Sequence, residues 1–221
     1  GQIALEIMRP SLWWVLKVAE TVAAQDHPVE LVVTPPMFVV PMIALGGLFL
    51  SLWQGRFRVR ACGLVPVVLA FFIWSQATRP ALLIAPDGPL AGLITEHGRA
   101  LNKAKGQGFA AETWLENDGD GATQDEAAAR PASLSADYDR YDVNGVKIAV
   151  LTGKKKAALL EIACAEADFV VMSEPRPRGF AGPCRVLGKW QLRDTGALAF
   201  WPVENGVRVE QTQGRSFRPW D

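Results

Sequence analysis

The segment Tyr141-Asp142-Val143-Asn144-Gly145-Val146-Lys147-Ile148-Ala149-Val150-Leu151 decides the class of fold. Asn-Gly supplies the two positive φ angles of a type I′ turn, so its flanks form a β-hairpin. Downstream, Thr152-Gly153 opens a helix expected to reach about Glu166, with Leu159, Ile162 and Ala163 on one face. The unbroken apolar run Asp168–Ser173 predicts a strand buried on both faces. Two further strands, Ala197–Trp201 and Val207–Thr212, surround the turn Glu204-Asn205-Gly206. Upstream, Ala81–Ala85, Leu90–Thr95 and Arg99–Asn102 alternate with the turns Pro86-Asp87-Gly88 and Glu96-His97-Gly98, which predicts a three-stranded meander. A short helix over Phe109–Glu116 follows, then an acidic, Ala- and Gly-rich surface loop over Asn117–Asp137. Meander, hairpin, helix and strand in this order give an α/β (α+β) class, sheets covered by a few helices, and no repeat of solenoid period occurs.

The chain has 221 residues, 49% of them hydrophobic and 21% charged, with 23 basic and 23 acidic side chains. That composition excludes disorder and a disulfide-dense miniprotein, and zero net charge argues against a protein whose main task is non-specific binding of nucleic acid. The average conceals an asymmetry. Residues 1–77 carry only five basic side chains (Arg9, Lys17, Arg56, Arg58, Arg60) and four acidic ones (Glu6, Glu20, Asp26, Glu30). No charge falls between Met37 and Trp53, nor between Ala61 and Thr78. Each run approaches the roughly 20 residues that span about 30 Å of hydrocarbon, and Leu31–Val33 can lengthen the first.

Residues 31–78 are therefore expected to form two transmembrane helices, with a pair of buried core helices as the alternative. Trp53 and Trp74 near the run ends suit the headgroup region, and Pro41, Pro66 and Gly46-Gly47 are tolerated in membrane helices. The connector, residues 54–60, holds three Arg, which places it in the cytoplasm and both flanks on the opposite side. Residues 1–30 read as an amphipathic or interfacial helix plus connector. Ser11 is the expected cap, with Leu12, Val15, Leu16, Ala19, Val22 and Ala23 at helical spacing. The chain opens on Gly1 without a signal-peptide pattern, so a longer membrane protein is expected upstream.

Chemistry-bearing motifs are few. Glu116-Asn117-Asp118-Gly119-Asp120-Gly121 imitates a calcium loop, but its first ligand is Glu and the closing position is Ala127, so a solvated loop is favoured. Ser133, Ser135 and Ser173 have no sequence-visible activating base. Gly106-Gln107-Gly108 is too short for a dinucleotide fingerprint and no GxxxxGK[ST] occurs, so energy for any transport must come from another protein.

In order and wording the chain resembles the C-terminal end of the ComEC family of competence proteins, membrane channels that pass transforming DNA across the inner membrane. The resemblance rests on Arg79-Pro80-Ala81-Leu82-Leu83-Ile84 behind the apolar runs and on Phe109-Ala110-Ala111-Glu112-Thr113-Trp114-Leu115-Glu116-Asn117-Asp118-Gly119-Asp120. It continues through Cys164-Ala165-Glu166-Ala167-Asp168-Phe169-Val170-Val171 to the closing Arg218-Pro219-Trp220. It implies that residues 79–221 are a periplasmic metallo-β-lactamase-like αββα sandwich, a fold that in relatives resembles a nuclease for the strand not imported. The metal ligands of that fold are missing. Only His27 and His97 are present, Thr152-Gly153-Lys154 stands where a TGD would fall, and Ser173-Glu174-Pro175 stands where an HH pair would follow.

The implied function is a non-catalytic structural or DNA-guiding domain, without metal or other cofactor. Its rivals are a metal-dependent nuclease degrading the non-imported strand and a protein-interaction module without DNA contact. Implied partners are single-stranded DNA, the membrane, upstream transmembrane helices of the same full-length protein and other DNA-uptake proteins. The implied location is the bacterial inner membrane, with the soluble domain in the periplasm. On this fold Lys154, Lys155, Lys156, Arg176 and Arg178 lie at neighbouring strand ends, as candidate phosphate contacts or as an ordinary solvated face. Cys164 ends the helix that feeds the strand at 168–173, and Cys184 starts a segment returning beside it. A disulfide and two buried free thiols are both compatible with that placement, the first favoured by an oxidising compartment.

Overall fold

A computed structural model describes residues 2–24, 31–53, 55, 59, 61–135 and 137–212. Among them are eight helices and two sheets, and the class is mixed α/β. The helices are α1 (Gln2–Ala23), α2 (Val39–Leu52), α3 (Leu64–Ser75), α4 (Gly108–Asp118), α5 (Gln124–Ala128), α6 (Gly153–Ala157), α7 (Leu160–Glu166) and α8 (Lys189–Thr195). Strands β1 (Leu82–Ile84), β2 (Ala91–Thr95), β3 (Gly98–Leu101), β8 (Leu198–Val203) and β9 (Gly206–Gln211) form an antiparallel sheet in the order β3-β2-β1-β8-β9. The second sheet runs β4 (Asp139–Val143), β5 (Val146–Leu151), β6 (Phe169–Met172), β7 (Arg185–Leu187). In it β5, β6 and β7 are parallel and β4 is antiparallel to β5.

The predicted hairpin turns through Asn144 (φ 51°) and Gly145 (φ 83°), the two positive angles that its sequence supplies. Period-2 alternation then distributes the inner strands between two cores. Ile148, Val150 and Val171 face Leu82, Ile84, Leu198 and Phe200 of the other sheet, while Ala149, Leu151, Val170 and Met172 face Leu160, Ala163 and Cys164 of α7. A third cluster packs Ala111 and Leu115 of α4 and Ala127 of α5 on Leu90 and Leu101. The layers are thus helix, sheet, sheet, helix. The expected helix over 152–166 is broken at Ala158–Leu159 into α6 and α7. The break rotates the apolar face, so Leu160, Ala163 and Cys164 are buried and Ile162 is 56% exposed.

The apolar half departs most from expectation. Among the described residues no helix is long and apolar enough to cross a membrane. At 1.5 Å per residue, α2 with 14 residues spans about 21 Å and α3 with 12 about 18 Å. Prolines set these limits. Pro35 and Pro36 hold residues 31–36 out of the helix, so Leu31–Val33 do not lengthen it. Pro41 and Pro66 are the third residues of α2 and α3, in first turns whose N–H groups have no helical acceptor in any case. Ser11 is not a cap, because α1 starts at Gln2 and contains Pro10. Cys62 lies in the turn before α3, not within a helix. The connector arginines Arg56, Arg58 and Arg60, together with His27 and the closing Arg218-Pro219-Trp220, lie outside the described residues.

Helices α2 and α3 pack through glycine. A Cβ at Gly46 would stand 2.7 Å from Gly63 O and 2.7 Å from Val67 Cγ2, and one at Gly63 would stand 3.0 Å from Gly46 O. Gly46→Leu must push the helices apart and is expected to cost about 1–3 kcal/mol. Thermal unfolding in detergent would read this as a lowered midpoint, with Gly47→Leu, whose Cβ would meet nothing within 4 Å, as the silent control.

Candidate nucleic-acid interface

The parallel order of β5, β6 and β7 puts their carboxyl ends on one rim of the sandwich. Thr152 and α6 leave the end of β5, and Ser173 to Arg178 leave the end of β6. All five cations singled out in the sequence therefore start from neighbouring strand ends. Lys154, Lys155, Arg176 and Arg178 are exposed and Lys156 is half-buried. Gly153 N–H donates to Ser173 Oγ at 2.8 Å, tying the two exits together. Arg176 turns back to donate through Nη2 to Phe180 O at 2.6 Å. Thr152 Oγ1, between them, is buried without a protein hydrogen-bond partner.

A polar hub joins this rim to the other sheet. Asp139 Oδ2, at the start of β4, accepts from Asn102 Nδ2 at 3.0 Å and lies 3.6 Å from Lys156 Nζ. Asn102 also accepts from Ala91 N–H at 2.9 Å and donates to Pro89 O at 3.3 Å. Lys103 is a further cation of the hub. Burial lowers its pKa, the Asp139 carboxylate opposes that shift and the Lys156 charge adds to it. Neither Asn102 nor Lys103 stands out in the sequence, because the segment that follows β3 meets Asp139 of β4 only in the folded chain.

Among its described residues, the expected surface loop over 117–137 contains the end of α4 and all of α5, and Asp118 and Asp120 in it are ion-paired. Asp118, 5% exposed at its side chain, accepts from Arg99 Nε and, at 3.2 Å, from Arg99 Nη2; the Arg99 side chain is fully buried. Arg99 also donates to Gly92 O at 2.8 Å and Pro80 O at 3.2 Å. Asp120 is paired bidentately with Arg130, and α5 is capped by a Thr123–Glu126 capping box. The two aspartates of the calcium-like word are thus held by arginine, and Glu116 is exposed. Among the described residues no group of three or more His, Cys, Asp or Glu is placed to hold a metal ion, and His97 is exposed in a turn.

The Arg130 hydrogen bond, chiefly, holds the Asp120 carboxyl below its ordinary value against the opposing effect of burial. A depressed carboxylate pKa stabilises the fold above the unfolded value of about 3.9, and that contribution is lost as pH falls through the folded value. Asp120→Asn should therefore flatten the loss of stability below about pH 4. Urea midpoints at pH 3 and pH 6 measure it, and an unchanged pH slope in the variant would contradict the pairing.

Cys164 and Cys184 form a disulfide with Cα atoms 5.1 Å apart. It lies at the amino ends of β6 and β7, opposite the cationic rim. The crossover from Ser173 to Cys184 therefore runs the length of the sheet, with Arg176 and Arg178 near its start and the bridge at its return.

The chain matches no family model, no curated protein and no solved structure. Any functional reading rests on the rim, the apolar hairpin and the sequence words.

Proposed function

We propose that the chain is the C-terminal membrane and periplasmic portion of a channel for uptake of transforming DNA, with a non-catalytic, metallo-β-lactamase-like sandwich that guides single-stranded DNA. The observation that carries the reading is the convergence of Lys103, Lys154, Lys155, Lys156, Arg176 and Arg178 on one rim, where Asp139, Glu174 and Asp87 are fewer than the cations. Such an excess suits phosphates tracked without sequence preference. The layered sheets agree with the expected sandwich, and the apolar α2–α3 hairpin is the part that meets the membrane and the upstream helices. Other DNA-uptake proteins supply energy and cargo.

Fluorescence anisotropy of a single-stranded oligonucleotide across a salt series tests the proposal. Each neutralised phosphate contributes about −0.7 to the slope of log K against log salt, so the triple variant Lys154→Gln, Lys155→Gln, Arg178→Gln should reduce the slope by about 2. All three side chains are exposed, so the fold is expected to survive. An identical slope in the variant, or no binding by the parent at low salt, would remove DNA guidance and favour an interaction module. Chelator-sensitive cleavage of the oligonucleotide would favour the nuclease reading.

A further inference from the structure

Two cavities meet where the hairpin joins the sandwich. One, of about 500 Å³, runs along α3 and is lined by Ala61, Leu64, Val65, Val68, Leu69 and Phe72. The other, of about 590 Å³, continues from Phe72 past Gln76 and Thr78 to Arg79, with Thr34 and Trp201 on its walls. Phe72 lines both, so the open apolar face of α3, the body of the groove, adjoins the polar cleft, its mouth, at this residue.

Beside the mouth guanidinium groups outnumber carboxylates, three to two. Asp118 gives both carboxylate oxygens to the buried Arg99, and Arg79 Nε stands 3.6 Å from Asp118 Oδ1, buried and without a hydrogen-bond partner. Two guanidinium groups thus share one carboxylate. Desolvation chiefly, with a contribution from the Arg99 charge, lowers the Arg79 pKa against the pull of Asp118. On the opposite wall Trp201 Nε1 donates to Glu210 Oε2 at 2.8 Å, and Arg208 both pairs with Glu210 at 2.9 Å and lies over the indole. The local carboxylates are Asp118 and Glu210, against Arg79, Arg99 and Arg208.

We infer that this groove binds an anionic glycerophospholipid, with its phosphate at Arg79 and an acyl chain along α3. The length agrees: α3 spans about 18 Å, close to the roughly 15 Å depth of one leaflet. Cationic mouth and apolar body match the two ends of an amphiphile, and a guanidinium fork suits a phosphate. The inference rests on the membrane part of the proposed function and is independent of DNA.

Native mass spectrometry of the detergent-purified chain, incubated with phosphatidylglycerol or with phosphatidylcholine of the same acyl chains, tests it. Retention of phosphatidylglycerol should exceed that of phosphatidylcholine, whose choline cation would be repelled by the guanidinium groups around the mouth, by about tenfold. Arg79→Gln should abolish the preference. Arg79 also donates to Asn117 O and Thr34 O, so a second variant avoids its structural duties. Val68 is 59% exposed, and Val68→Glu should reduce retention of both lipids without disturbing the fold. Equal retention of the two lipids by the parent, or an undiminished preference in Arg79→Gln, would overturn the headgroup site while leaving membrane contact standing. Stabilisation by inorganic phosphate equal to that by the lipid would overturn the acyl subsite. Failure of the chain to float with vesicles of either lipid would instead overturn the membrane reading beneath it.

Discussion

Asp118→Ala is expected to destabilise the sandwich by about 3–5 kcal/mol, as breaking a buried ion pair from one side does. The size follows from what is left behind. Arg99 has no exposed surface, and its side chain crosses the face of β2 over Gly92 to reach Asp118 at the end of α4. Without the carboxylate a guanidinium, which cannot shed its proton, remains buried with only the Gly92 and Pro80 carbonyls as partners. Chemical denaturation measures the loss. The double variant Asp118→Ala, Arg99→Met should recover much of it, because removing both charges removes the desolvation cost as well. A loss below 1 kcal/mol in the single variant would show that water reaches Arg99.

Reduction of the Cys164–Cys184 disulfide is expected to cost about 3 kcal/mol in the chain-entropy model, for a sequence separation of 20 residues. The bridge closes the only connection between the parallel strands β6 and β7, and that connection contains no helix or strand of its own. Once it opens, Gly182, whose backbone packs on Cys164 Sγ, loses its support. Urea titrations with and without reductant measure the difference. Alkylation of both thiols in unreduced material would show that the bridge does not form.

What was legible in the sequence was local. Asn144-Gly145 carries its turn in two residues, and the meander and the β8–β9 hairpin announce themselves by turn residues between apolar runs. The β6 run reads as buried because no polar residue interrupts it. What was not legible depends on partners far along the chain. Arg99 reads as a surface residue until Asp118, 19 positions on, is brought to it, and Asn102 belongs to a site only through Asp139. The lengths of α2 and α3 lay between these cases. Hydropathy marks the apolar runs, but Pro35-Pro36 ahead of α2 and the first-turn prolines Pro41 and Pro66 are helix-start signals that shorten both.

The clasp beneath the hairpin bears on where the folding unit begins. Thr34 N–H donates to Asn117 O at 2.9 Å, and Thr34 Oγ1 to Asn117 Oδ1 at 2.7 Å. Trp74 Nε1 reaches Val33 O at 2.7 Å, and Gly119, at φ 74°, closes α4 directly over the Val32–Val33 backbone. The chain thus enters and leaves the apolar excursion at one place, like the two legs of a staple driven into the same board. A fragment cut at Arg79 would lose one leg and strip α4 of the segment that covers its end. Excising 37–75 and rejoining the legs would keep both, so the natural seam runs around the hairpin rather than after it.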